Sequence, residues 1–322
     1  LFLITFWIAF EKFHLNWEFS WPWLNLGNVF SERIDWIQWY EYTGVFGGSL
    51  WVLCANFLMF NLLRKYSSFK DKRRFYIRII PRILLISVPI FISLLVKPNL
   101  NKGEEFKVLI TQPKIDPWES KYGTSKNNLD YFKIFKELTN EELRANEYDF
   151  VFTPETYFSE GYGENVDYFG YTKLHDSLYN YLDQFKNTNL ISGIQFYKLY
   201  QNQKEKPTKS ANPVRDNIWV DYFNSSINFS ANKGFEYNHK SKLVVGSEYM
   251  PFKSFLEPII GTVMIDLGGT IRSMGTQHES ERKVFNHSSK DLRTIPIVCY
   301  ETIDGEYVAN YVDLGANFIS II

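Results

Sequence analysis

The 322 residues suffice for one large domain or two smaller ones. A formal net charge of −1 and a pI near 6.6 give no electrostatic case for nucleic-acid binding, and no recognition motif supplies one. Aromatic residues reach 18%, with 9 Trp, and a mean hydropathy of −0.24 conceals a shift near residue 98 from apolar, interrupted sequence to polar, globular patterning.

In chain order, the opening LFLITFWIAF reads as the tail of a membrane span, and the chain, opening on Leu and stopping within FISII, is expected to be a fragment at both ends. Residues 14–42 are rich in Trp and Tyr (Trp17, Trp21, Trp23, Trp36, Trp39, Tyr40, Tyr42). Such rings favour the headgroup level, so an external interfacial loop is expected there. Thr43–Leu63 has no charged residue and is long enough to cross about 30 Å of hydrocarbon. Ile79–Val96 is apolar apart from Arg82 and holds Pro81 and Pro89, which membrane helices tolerate. Between the spans, residues 64–78 carry Arg64, Lys65, Lys70, Lys72, Arg73, Arg74 and Arg78 against Asp71. A short basic loop of this kind is of cytoplasmic type. Both far ends of the two spans then face outside. The organisation read from this is a transmembrane part, 1–98, and an extracytoplasmic domain, 99–322.

After Lys97-Pro98, strands and helices alternate. Phe106–Thr111 is a strand, Asn128–Asn146 a helix by its apolar spacing, Tyr148–Thr153 a strand, Tyr171–Phe185 a helix and Leu190–Phe196 a strand. Lys204–Asp216, with Pro207 and Pro213, reads as a loop. Trp219–Asn228 and Phe235–His239 suggest a hairpin through Asn232-Lys233-Gly234. Leu292–Cys299 is a strand, Asp304–Leu314 a helix and Asn317–Ile322 a final strand. The order indicates an α/β domain.

Three places put a reactive residue just past an apolar strand: Glu155 in Phe152-Thr153-Pro154-Glu155-Thr156, Lys240 with Glu248 downstream, and Cys299-Tyr300-Glu301. Strand ends converge on one rim in α/β proteins, where sites are built. Cys54 lies in the membrane-length segment and can hardly meet Cys299. A lone thiol with a carboxylate two residues on is a candidate nucleophile, with an inert packed cysteine as the competing reading. Taken singly, Glu155 reads as a loop acid, Lys240 as part of a solvated basic run, and Glu248 and Glu301 as surface carboxylates.

Together, in the order Glu155, Lys240, Cys299, they resemble the catalytic triad of the nitrilase (carbon–nitrogen hydrolase) superfamily. The run Lys240 through Leu243-Val244 to Glu248, then Met250-Pro251-Phe252, is similar to that superfamily's lysine block. With the upstream spans, the resemblance narrows to the apolipoprotein N-acyltransferase family. Trp21-Pro22-Trp23-Leu24 with Leu26-Gly27, and Tyr42-Thr43-Gly44-Val45-Phe46-Gly47, resemble the loop before a family span and that span's start. The family's Val-Pro-Phe-Gly-Glu is here Val244-Val245-Gly246-Ser247-Glu248, so a different local turn is expected. The family's Asn-Asp pair, tryptophan and last membrane helix are not in the sequence.

The resemblance implies a nitrilase-like α-β-β-α sandwich on a partial helical bundle, multi-pass in the cytoplasmic (inner) membrane with the catalytic domain on the periplasmic side. It implies Glu155 as general base, Cys299 as nucleophile on a membrane phospholipid acyl ester, and Lys240 as oxyanion partner. The acyl chain would pass from a thioester to the α-amine of an S-diacylglyceryl cysteine on an apolipoprotein. Glu248 would orient Lys240 or the amine; Tyr300 and Glu301 would position the nucleophile. A membrane-tethered amidase using water as acceptor, and a catalytically dead binding module of the same fold, stay open as rivals. No cofactor is expected: His175, His239, His278 and His287 have no metal-ligand spacing, and no Gly-rich phosphate loop occurs.

Overall fold

The first part of the chain is helical because its apolar runs are long enough to satisfy their own backbone: α1 (Phe2–His14), α2 (Tyr40–Arg64) and α3 (Lys72–Val96). The computed structural model describes residues 2–65, 72–96, 103, 105–115, 126–260 and 273–322. The chain divides into two compact units, Leu1–Glu104 with Ile303–Glu306, and Glu105–Thr302 with Tyr307–Ile322. Helices α2 and α3 are each long and apolar enough to cross a membrane. Because α3 begins at Lys72, the residues Lys72, Arg73, Arg74 and Arg78 ride on helical turns and do not lie in a loop; Lys70 and Asp71 fall outside the described residues.

The aromatic stretch before α2 forms three short 3-10 turns, Pro22–Leu24, Leu26–Phe30 and Ile34–Trp36. Its backbone is tied down at several points. Leu26 N–H donates to Glu11 Oε1 (2.8 Å), Gly27 N–H to Ser49 Oγ (3.0 Å) and Gln38 N–H to Ser93 Oγ (2.6 Å), while Tyr40 OH donates to the Gly27 carbonyl (2.9 Å). Only glycine fits at position 27, where a Cβ would stand 2.0 Å from the Val45 carbonyl oxygen.

Prolines inside α3 leave carbonyls without their usual donor four residues on. For Pro89 that carbonyl is Leu85's, and Trp51 Nε1–H of α2 donates to it at 2.7 Å. A carbonyl left without a donor is costly, so this bond fastens α2 to α3 at a gap in the α3 hydrogen-bond ladder. Replacing Trp51 by Phe keeps a ring against Phe30 and Trp39 but removes the donor. A loss of about 1–2 kcal/mol is expected, read as a lower thermal midpoint in detergent; an unchanged midpoint would count against the pairing.

Among the described residues, the second unit holds two sheets. In the first, β1 (Val108–Ile110), β2 (Phe150–Phe152), β4 (Asn189–Gln201), β6 (Ile218–Ser230) and β5 (Asn212–Arg215) lie in that order, with β3 (Glu164–Asn165) along β4 and β7 (Gly234–His239) along β6. Strands β1, β2 and β4 are parallel; β6 runs antiparallel to β4. The second sheet is β10 (Phe318–Ile321), β9 (Arg293–Ile297) and β8 (Phe285–Asn286). The helices are α4 (Asn128–Ala145), α5 (Lys173–Leu182), α6 (Lys253–Ile260) and α7 (Gly305–Asp313).

Alternating side chains assign the layers. Val151, Leu190, Ile194 and Phe196 pack with Tyr131 and Phe135 of α4 and Leu174 and Leu178 of α5. Their strand neighbours Phe150 and Ile191 point the other way, onto Phe285 and Leu292 of the second sheet's side. Ile295 and Ile297 of β9 pack against Tyr307 and Tyr311 of α7. The result is an α-β-β-α sandwich, as the resemblance implies. Phe135, Phe158, Phe169, Phe196 and Phe229 are fully buried, each contributing about 1.5–3 kcal/mol. Helix α4 starts at a capping box, Asn127 and Asp130 exchanging side-chain-to-backbone bonds.

Two differences from the sequence reading have physical reasons. The stretch expected as a loop, Lys204–Asp216, contains β5, and Pro213 is accepted there because β5 is an edge strand with a register shift between Pro213 and Arg215. Strands β4 and β6 outrun their apolar cores by pairing with each other from Leu190–Phe229 through Gln201–Ile218, so backbone pairing carries polar residues into the sheet.

Candidate active site

Glu155 follows β2 through Pro154 and enters a turn in which Thr156 has φ +48°. That turn rests on Gly193 of β4, where a Cβ would meet Thr156 N at 2.3 Å and Glu155 Cα at 2.6 Å. Gly193→Ala is therefore expected to displace Glu155 and to cost about 1–3 kcal/mol. The check is chemical denaturation combined with the alkylation rate of Cys299; normal values for both would show that the turn has slack.

Lys240 directly follows β7, its N–H extending the ladder to the Asn224 carbonyl (2.8 Å). Its side chain is 1% exposed and runs into a pair of carboxylates, Glu248 Oε1 at 2.9 Å and Glu155 Oε1 at 3.2 Å. Burial alone would push the ammonium down; the charges of Glu248 and Glu155 outweigh burial and hold it above the ordinary lysine range. Glu248 is presented by a tight turn: its N–H donates to the Val244 carbonyl and its Oε2 accepts from Val244 N–H at 2.8 Å. The Val245-Gly246-Ser247 departure from the family pattern thus builds a turn that closes on Glu248 itself, with Gly246 at φ +81°.

Cys299 leaves β9 with φ +47°, a left-handed conformation uncommon for a side-chain-bearing residue. Its N–H donates to the Ile322 carbonyl at 2.9 Å, and the residue is exposed. The thiol is pushed up by burial of its sulfur and by the Glu155 charge, with the Lys240 charge opposing. A resting thiol beside a carboxylate that can take its proton is the arrangement of a base-assisted nucleophile.

The reading of Glu248 and Glu301 as surface carboxylates is overturned. Glu248 is 7% and Glu301 1% exposed. Glu301 Oε1 accepts from Ser241 N–H (2.6 Å), Lys242 N–H (3.3 Å) and Tyr307 OH (2.6 Å), and Oε2 from Val298 N–H (3.0 Å). Burial raises its carboxyl, while these donors oppose the rise. Glu301 thereby ties the residue before the nucleophile to the residues after Lys240. Tyr300 is buried beside it.

Asn224 was not anticipated. Its Nδ2 donates to Glu155 Oε1 (2.6 Å) and to Glu248 Oε1 (3.0 Å), the same two oxygens that Lys240 bridges. The sequence offered little signal, because β6 also carries Asp221, Ser225, Ser226, Asn228 and Ser230. An apolar cleft of about 740 Å³ opens at Glu155 and Cys299, walled by Phe106, Val108, Ile110, Phe152, Phe318 and Ile322 among others. Among the described residues no group of three or more His, Cys, Asp or Glu could hold a metal ion.

Comparison with known proteins gives one family-model match and relatives of the same description. The model of the apolipoprotein N-acyltransferase N-terminal domain matches residues 1–58. An apolipoprotein N-acyltransferase of Chlorobaculum tepidum is 25% identical over 325 residues, covering 98% of this chain and 57% of that protein. Another, of Wigglesworthia glossinidia brevipalpis, is 31% identical over 106 residues, covering 30% of this chain and 19% of that protein. This chain thus spans little more than half the length of the first. Among solved structures, an amidase from Nesterenkonia sp. aligns with 11% identity over 68% of this chain and 65% of its own, TM-score 0.36. XC1258 from Xanthomonas campestris, described as a CN-hydrolase superfamily protein, aligns with 12% identity over 62% and 54%, TM-score 0.35. Over nearly its whole length, helical part and α/β part alike, the chain is similar to the apolipoprotein N-acyltransferases.

Proposed function

We propose that this chain is the greater part of an enzyme that moves an acyl chain from a membrane phospholipid to the α-amine of an S-diacylglyceryl cysteine at the N-terminus of an apolipoprotein. The observation that carries the reading is one exposed thiol lining the same apolar cleft as Glu155, whose carboxylate shares a buried lysine with Glu248. In the first half-reaction Glu155 takes the Cys299 proton as sulfur attacks the ester carbonyl. Lys240 stabilises the oxyanion, and the C–O bond breaks with the proton returned to the departing lysophospholipid oxygen. In the second, the amine attacks the thioester carbonyl and gives a proton to Glu155, the C–S bond breaks as the amide forms, and the proton passes to the departing Cys299 sulfur.

Two membrane-length helices support a lipid substrate, since both reactants of such a transfer reside in the bilayer. Arg64 and Lys65 at the end of α2 and Lys72 and Arg73 at the start of α3 support a cytoplasmic side for these helix ends, and with it an α/β unit on the external side.

The test supplies the full-length protein in detergent with phospholipid and a diacylglyceryl-cysteine lipopeptide, and reads the lipopeptide by mass spectrometry. A gain of one acyl group at its N-terminus is expected. Release of ammonia from small amides, with no lipopeptide acylation, would replace this reading by an amidase.

A further inference from the structure

Two carboxylates in direct contact with one ammonium leave a surplus negative charge beside a thiol that must lose its proton. Asn224 is the group that makes this arrangement tenable. Its amide is oriented by its neighbours: Glu155 Oε1 at 2.6 Å and Glu248 Oε1 at 3.0 Å only accept, so Nδ2 must face them. Its Oδ1 is consequently buried with no hydrogen-bond partner. An orphaned buried acceptor is a cost that an aliphatic side chain at this position would not incur, so the amide is there for its donors. Lys240 Nζ spans the same two oxygens at 3.2 and 2.9 Å, giving two parallel bridges, one charged and one neutral.

We infer that Asn224 is a positioning residue for the reaction, holding Glu155 as the base for Cys299 when Lys240 turns its positive charge to the substrate oxyanion. The inference rests on the proposed reaction. With Lys240 as the sole bridge, every shift of the ammonium toward an oxyanion would loosen Glu155 and bring two like charges into direct repulsion. The neutral bridge stays in place through that step. It is also fixed independently of the substrate, because the Asn224 backbone carbonyl carries the Lys240 N–H (2.8 Å) within the sheet. The residue that spaces the carboxylates therefore also sets the height of the lysine.

The test is the pH dependence of iodoacetamide alkylation of Cys299 in the full-length protein, followed by mass spectrometry with Cys54 as internal reference. Asn224→Asp is nearly isosteric but replaces the donor by a third carboxylate. Its alkylation rate at pH 7 is expected to fall about tenfold, and the pH of half-maximal rate to rise by about one unit. Asn224→Ala, which removes the bridge and adds no charge, should shift the same way by less. An unmoved pH profile in either folded variant, even with a lower thermal midpoint, overturns the inference and leaves Asn224 a purely structural residue. If Asn224→Asp does not fold, Asn224→Ala decides alone. Alkylation needs no acyl donor, so failure to observe acyl transfer would bear on the proposed reaction and not on Asn224.

Discussion

Lys240→Met should both unfold the second unit more easily and abolish chemistry at Cys299. Methionine fills the space of the lysine stem, so packing is nearly kept and the charge is what is lost. Glu248, 10% exposed in its side chain, and Glu155, 29% exposed, would then face each other with only Asn224 between them. Removing one partner of a buried ion pair typically costs about 3–5 kcal/mol, because the other charge is left uncompensated. The Glu155 share is smaller, since water reaches it. Loss of an oxyanion donor adds about 10²–10³-fold in rate. Denaturant unfolding and lipopeptide acylation measure the two effects separately. Lys240→Arg should recover part of the stability and little activity, because a planar guanidinium cannot reproduce two contacts from one nitrogen at a site with 1% exposure. A stable, active Lys240→Met protein would remove the lysine from the account.

Glu301→Ala is expected to have the next largest effect. It would remove the carboxyl that accepts from the Ser241, Lys242 and Val298 N–H groups and from the Tyr307 hydroxyl, which also lies 3.5 Å from Tyr311 OH. An unsatisfied buried donor costs about 1–3 kcal/mol; with partial refilling by water, a total of about 3–5 kcal/mol is expected. Glu301→Gln separates positioning from stability. Its oxygen can keep the three bonds now made to Oε1, while its amide meets the Val298 N–H donor to donor. The fold should persist and the turn carrying Cys299 should shift. Thermal midpoints near wild type with slowed Cys299 alkylation are the expected pair of results; full reactivity in Glu301→Gln would confine Glu301 to a structural role.

The sheet-and-helix order was legible because apolar periodicity reports burial, and burial is what built each layer: Val151 and Phe150 alternate toward different cores just as a two-sided strand demands. What was illegible depends on partners distant in the chain. Glu248 and Glu301 have the sequence appearance of surface acids, and their burial rests on donors at Asn224, Lys240, Ser241, Val298 and Tyr307. Asn224 escaped notice for the same reason, since its meaning lies in two carboxylates on other segments. The short strands β3 and β8 were missed because two paired residues leave no periodicity to read. Within residues 64–78 the charge pattern did not show where the second apolar helix begins, for α3 starts inside the basic run.

The central claim is that Cys299 carries the acyl group. Full-length protein incubated with phospholipid, quenched in acid and digested, should yield the Cys299 peptide heavier by one acyl chain, and hydroxylamine should remove that mass as expected for a thioester. Cys299→Ala should show neither the adduct nor lipopeptide acylation. An unmodified Cys299 peptide, together with a Cys299→Ala protein that still acylates the lipopeptide, would contradict the account.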